Sequence, residues 1–157
     1  MKQTRHLLIA LALGTMLTSC GASVSTATVT GPAAYVDPYI GSGGHGHVFV
    51  GASVPFGAIQ AGPQNIHKGW DWCSGYHHSD SIVIGFAHTH LSGTGCTDMG
   101  DVQIMPYTGE LRSKRGRQED IGGSCSSYYS HDNESVSPGY YSLKMDNGVR
   151  IEMTAST

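Results

Sequence analysis

Beyond the first twenty residues, apolar positions come in short runs that alternate with polar residues or are broken by glycine and proline: Val48 to Val50, Ala58 to Ala61, Ser81 to Ala87, Val102 to Met105, Tyr140 to Met145 and Val149 to Met153. Runs of this length, rich in β-branched and aromatic residues and bounded by turn formers, predict strands. The last two predict a hairpin. Tyr141, Leu143 and Met145 alternate with polar residues, Asn147-Gly148 offers a two-residue turn, and Val149, Ile151 and Met153 alternate back, so one face of the pair should be buried. No stretch of ten or more residues after Cys20 carries a 3.6-residue apolar period, which leaves few helices and predicts an all-β sandwich. Arg150 to Thr157 still reads as strand where the sequence stops, so the sandwich is expected to be incomplete, with an unpaired edge.

The beginning of the chain follows another pattern. Lys2, Arg5 and His6 precede the apolar run Leu7 to Leu13 and small residues follow, the layout of an export signal. The run is too short to span a bilayer, which takes roughly 20 apolar residues. It ends in Leu17-Thr18-Ser19-Cys20, similar to the bacterial lipobox, whose cysteine is lipidated and becomes the first mature residue; a plain secretory signal is the alternative. A lipid on Cys20 would hold the domain at a membrane surface, each buried CH₂ contributing ~0.8 kcal/mol. Residues 1–19 are therefore read as a lipoprotein signal peptide, 20–34 as a Ser/Thr/Ala-rich flexible tether, and 35–157 as the folded domain, lipid-anchored in the cell envelope.

Charge and cysteine content narrow the function classes. Nine Lys+Arg against twelve Asp+Glu give a net charge of −3, and loss of Lys2 and Arg5 with the signal leaves −5, so no cationic footprint for nucleic acid exists. Cys73, Cys96 and Cys125 remain after Cys20, an odd number whose spacing fits no zinc motif. Either one disulfide closes and one thiol stays free, or all three are reduced and buried.

The chemistry-bearing residues are concentrated. His45, His47, His67, His77, His78, His88 and His90 fall in one stretch that also holds both tryptophans, Asp71 and Asp80. Two pairs are His-x-His, His45/His47 and His88/His90, a spacing that puts both imidazoles on one face of a strand and can chelate a metal. The apolar run ending in His88-Thr89-His90 resembles the first strand of amidohydrolases and so offers a metal-dependent hydrolase. Amidohydrolases, however, build on alternating strands and helices over a longer chain than this one. Imidazoles that hydrogen-bond loop backbone and line a polar cleft are the alternative. The second cluster is Gly69-Trp70-Asp71-Trp72-Cys73-Ser74-Gly75-Tyr76-His77, two aromatics flanking a carboxylate between glycines. An indole packs on the C–H face of a pyranose while a carboxylate accepts from its hydroxyls, so this pattern suits sugar recognition; both indoles in the core is the alternative. No pair of carboxylates can be assigned to either side of a glycosidic bond by spacing.

Four segments, Tyr35-Val-Asp-Pro-Tyr-Ile-Gly-Ser-Gly-Gly-His-Gly-His47, Gly51-Ala-Ser-Val-Pro-Phe-Gly57, Gly69 to His77 and Gly85-Phe-Ala-His-Thr-His-Leu-Ser-Gly-Thr-Gly-Cys96, closely resemble the N-terminal domain of glycoside hydrolase family 92, exo-acting α-mannosidases frequent in gut Bacteroidetes. The resemblance runs from about Tyr35 to the end, in order. It implies a supersandwich, galactose-mutarotase-like N-terminal domain packed on a larger (α/α)₆ barrel. It also implies inversion at the anomeric carbon, calcium, and a general acid and base that all belong to the barrel, which these residues do not include. The implied substrates are mannose-containing glycans such as N-glycan or mannan chains. By the same resemblance, Trp70, Asp71, Trp72, Cys73, His88, His90 and Gly93 are the expected substrate-binding residues, with no catalytic residue and no metal ligand in this stretch. The chain alone is then expected to be inactive, a truncated piece of a lipid-anchored α-mannosidase. A stand-alone carbohydrate-binding lipoprotein and the His-x-His hydrolase are the competing readings.

Overall fold

The computed structural model describes residues 28–93, 95–97, 99–112, 114 and 124–156. The predicted signal peptide and Cys20 lie outside them, and the last part of the predicted tether runs into a one-turn 3₁₀ helix, Gly31–Tyr35. Among the described residues the strands are β1 (Gly62–Asn65), β2 (Ile82–Ala87), β3 (Gln103–Ile104), β4 (Ser127–Tyr128), β5 (Glu134–Ser137), β6 (Tyr140–Lys144) and β7 (Arg150–Thr154). They form two antiparallel sheets. In the first, β2 is central, pairing with β1 on one edge and with β3 and β4 at opposite ends of the other; in the second the order is β5-β6-β7.

The core lies between the sheets. Val83 and Phe86 of β2 meet Tyr141 and Leu143 of β6, with Val50, Ala52, Tyr76, Tyr129 and Met145 completing the cluster. Val83 and Phe86 are three residues apart, so a regular strand would turn one of them away. Gln64 pairs with Gly85 but Asn65 with Val83, making Ile84 an extra residue on β2. This bulge reverses the alternation and brings both side chains into the core. Every residue of β2 is buried, as the unbroken apolar run Ile82 to Ala87 predicts.

The hairpin forms with the expected sides, Tyr141 opposite Met153 and Leu143 opposite Ile151. Its loop is one residue longer than predicted. Met145 N–H donates to Val149 O at 2.9 Å and Gly148 N–H to Met145 O at 3.0 Å, leaving Asp146-Asn147-Gly148 as the loop with Gly148 at φ +86°. That is a tight turn closed by a left-handed glycine, which matches the strand twist as a two-residue turn would.

The predicted strands at Val48 to Val50 and Ala58 to Ala61 do not form; the two segments meet only through the bridge Ala52–Ala61. Here the backbones cross too closely for a side chain, since a Cβ on Gly62 would lie 2.3 Å from the Val50 carbonyl oxygen. β1, β4 and β5 escape the hydrophobic pattern because Gly-Pro-Gln-Asn, Ser-Tyr and Glu-Ser-Val-Ser acquire strand geometry from the partner they pair with. Pro63 is tolerated because β1 is an edge strand.

Candidate sugar-binding site

The Gly41–His47 segment folds into a tight loop: Val48 N–H donates to Gly41 O at 3.2 Å and Gly46 N–H to Gly43 O at 3.2 Å. Only glycine fits at position 46, where a Cβ would lie 2.1 Å from the Gly41 carbonyl oxygen. Off this loop His45 projects outward, 77 % exposed, while His47 turns in, 6 % exposed, with its backbone at φ +53°. The His-x-His pair therefore does not share a strand face. Both imidazoles nevertheless converge on one oxygen, with His45 Nδ1 at 2.6 Å and His47 Nε2 at 3.4 Å from Asp71 Oδ1. The hydrogen bond from His45, the larger effect, together with that from His47 holds the Asp71 carboxyl below the usual carboxylate range.

Asp71 sits in the one-turn 3₁₀ helix Trp70–Trp72, and the two indoles diverge from it. Trp70 is exposed yet fixed. Its indole N–H donates to Gly95 O at 2.7 Å, and its ring packs edge-on with His47 at 4.2 Å and lies 5.6 Å from His45. Gly93 N–H donates to His47 O at 2.7 Å, which fastens the segment after His90 onto the glycine loop. Trp72 points the other way. Its indole N–H donates to Asp80 Oδ2 at 2.8 Å, its ring stacks on His77 at 4.3 Å, and Lys68 Nζ pairs with the same Asp80 oxygen at 3.0 Å. The buried Asp80 carboxylate is completed by the backbone N–H groups of Ser81 and Ile82. His77 in turn reaches the Gly44 carbonyl with Nε2 at 3.2 Å, so the inward tryptophan braces the loop that carries His45.

Of the residues picked from sequence, Trp70, Asp71 and Gly93 come together at this surface. Trp72 supports it from inside. Cys73 is buried behind the turn, lining a separate cavity of about 380 Å³ with Gln64, His67 and Trp72. His90 is buried, its Nδ1 2.7 Å from Gln60 O and its ring stacked on Phe49, and burial lowers its pKa from the ordinary value. His88 lines an apolar groove between β3 and β7 with Val102, Ile104, Ile151 and Met153. The second His-x-His pair is thus divided between core and groove. His45 and His47 were visible in the sequence as a pair, but their tie to Asp71 spans 24–26 residues and has no local signal.

No three His, Cys, Asp or Glu side chains among the described residues converge on a point a cation could occupy. The donors nearest Asp71 are imidazole nitrogens, which do not suit the all-oxygen shell of calcium. No disulfide joins Cys73, Cys96 and Cys125; Cys73 is buried, Cys96 exposed and Cys125 half-buried, so the three thiols do not share one fate.

Residues 35–157 match the model of the glycosyl hydrolase family 92 N-terminal domain. The chain belongs to this family. It is 32 % identical over 131 residues to an uncharacterized secreted glycosidase of Arthroderma benhamiae, covering 78 % of this chain and 16 % of that protein. Among solved structures it is similar to the family GH92 α-mannosidase BT3965 from Bacteroides thetaiotaomicron, at 42 % identity and TM-score 0.76, covering 83 % of this chain and 18 % of that one. The same enzyme in complex with mannoimidazole matches at 43 % identity and TM-score 0.75, covering 79 % and 16 %. This family 92 chain therefore spans less than a fifth of the relatives it matches. The antiparallel sheets, with no long helix among the described residues, agree with the sandwich that the resemblance implies.

Proposed function

We propose that the surface made by Trp70, Asp71, His45, His47 and Gly93 contacts the terminal sugar of an α-mannoside, and that the chain is the carbohydrate-contacting part of a calcium-dependent, inverting exo-α-mannosidase. One observation carries this reading: an indole that is 60 % exposed and yet locked through its N–H, beside a carboxylate whose oxygen is oriented by two imidazoles. Exposed aromatics usually keep their rotamer freedom; fixing one in advance lowers the ordering cost at binding. Its face takes the C–H side of a pyranose and Asp71, ionised and oriented by the two imidazoles, accepts from a hydroxyl. The mannosidase relatives and the mannoimidazole complex support mannose as the sugar. Calcium and the acid–base pair of this reading belong to the barrel domain, so no step is assigned to them on these residues. Export with a lipid on Cys20 fits both the N-terminal pattern and a relative described as secreted.

The test is an NMR titration of the 157-residue chain with methyl α-mannoside, reading the two indole N–H signals, alongside an assay for mannose release from an α-1,2-mannobioside. The expected result is a millimolar-range shift of the Trp70 signal, lost in Trp70→Ala, and no released mannose. An unmoved Trp70 signal at saturating sugar overturns the binding assignment; released mannose overturns the claim that the chain alone is inactive.

A further inference from the structure

The His45 imidazole uses one ring nitrogen and leaves the other open. Nδ1 is engaged by Asp71 at 2.6 Å, whereas Nε2 makes no hydrogen bond among the described residues on a side chain that is 77 % exposed. Such exposure ordinarily means a mobile side chain. Here the carboxylate and the Trp70 ring hold the imidazole in place, and its loop is built as a fixed support. His78 N–H donates to Ser42 O at 2.8 Å, Ser42 Oγ–H to Tyr39 O at 2.7 Å, and His77 braces Gly44. An oriented imidazole with a free nitrogen beside an exposed indole is the arrangement of a polar contact placed next to a stacking surface.

We propose that His45 is a ligand-contacting residue, whose Nε2 takes a hydroxyl of the saccharide that stacks on Trp70. This rests on the sugar-binding reading above and adds a second polar contact to it. Asp71 keeps the proton of the neutral ring on Nδ1, so Nε2 presents its lone pair and accepts from a sugar O–H; in the protonated ring Nε2–H donates to the same oxygen. A sugar hydroxyl can take either role. Besides Asp71, the titratable side chain in this cluster is His47, whose Nε2 is turned to the same carboxylate oxygen.

Two substitutions separate contact with ligand from support of Asp71. Asparagine places its amide where Nδ1 lies, so His45→Asn keeps a donor to Asp71 and loses the outer nitrogen. Glutamine reaches the position of Nε2, so His45→Gln keeps an outer hydrogen-bonding group and gives up the inner one. Methyl α-mannoside binding to the full chain is followed by NMR, together with the His45 Nε2 chemical shift in the unsubstituted protein. The expected result is a ligand-dependent Nε2 shift, a roughly fivefold weaker affinity in His45→Ala and His45→Asn, and an affinity within about twofold of the parent in His45→Gln, the size of one net hydrogen bond. Retained affinity in His45→Asn with loss in His45→Gln would make His45 a support for Asp71 and overturn the proposal. Unchanged affinity in all three, with binding still lost in Trp70→Ala, overturns it while leaving the sugar-binding reading intact. No sugar-dependent shift at either Trp70 or His45 overturns both.

Discussion

Two carboxylate–histidine centres in this molecule are closed to different degrees. The Glu134 side chain on β5 is fully buried and takes hydrogen bonds from Tyr76 Oη at 3.0 Å, Tyr141 Oη at 2.7 Å and His131 Nδ1 at 2.7 Å. His131 stacks on His78 at 4.4 Å, which ties the second sheet to the segment after the tryptophan turn. Asp71 is 27 % exposed and bonded to imidazoles alone, one of which stands in solvent. In the first centre both carboxylate oxygens are occupied by buried donors, so its contribution is to stability. The second keeps open hydrogen-bonding capacity beside an exposed ring, the condition for recognition. The tyrosines respond accordingly: burial and then the Glu134 charge raise the pKa of Tyr76, Tyr129 and Tyr141, and the protonated hydroxyls of Tyr76 and Tyr141 donate to Glu134.

The largest effect that would test this contrast is on stability. Glu134→Ala leaves buried tyrosine hydroxyls without their acceptor and is expected to lose about 3 kcal/mol in urea unfolding. Asp71→Ala should unfold near the parent midpoint while losing methyl α-mannoside binding. Equal destabilisation by the two would break the comparison. The tryptophans give the next test. Trp72→Phe removes the N–H donor of the buried Asp80 and should cost about 1–3 kcal/mol with sugar binding reduced only through the loop. Trp70→Ala should do the reverse, with binding lost and the melting temperature nearly unchanged.

Acid separates the Asp71 centre from the buried His90 more gently. Burial favours neutral His90 in the fold, so the unfolded chain takes up the proton first. This stability is present above the ordinary value of 6.5 and declines as pH falls below it, and His90→Gln should flatten the melting temperature between pH 7 and 5. Asp71 has a lowered pKa, so its contribution is present above the ordinary 3.8 and is lost only as pH falls through its lower folded value. Mannoside binding should therefore outlast the His90 transition on acidification; loss of both together would contradict the separate burial of the two groups. The smallest effect on the folded domain is expected from Cys20→Ala. Fractionation should move the protein from membrane to soluble fraction with its melting temperature unchanged, and continued membrane association would refute the lipid anchor.

The sequence by itself determined the parts whose physics is local. Six buried residues in a row made β2, alternation set the buried face of the β6–β7 hairpin, and the Gly-Trp-Asp-Trp and Gly-rich histidine motifs carried the family. Tertiary structure decided what depends on partners distant in sequence. Polar β1, β4 and β5 became strands because β2 and β6 offered edges to pair with, and a bulge at Ile84 changed which side chains reach the core. Two tryptophans at positions i and i+2 are indistinguishable in sequence. Trp70 faces out because Gly95 holds its N–H at the surface, and Trp72 faces in because a buried carboxylate requires a donor. The same applies to the histidines: spacing made both His-x-His pairs look alike, but burial took His90 into the core, and His45 and His47 found Asp71 across a turn that no sequence period describes.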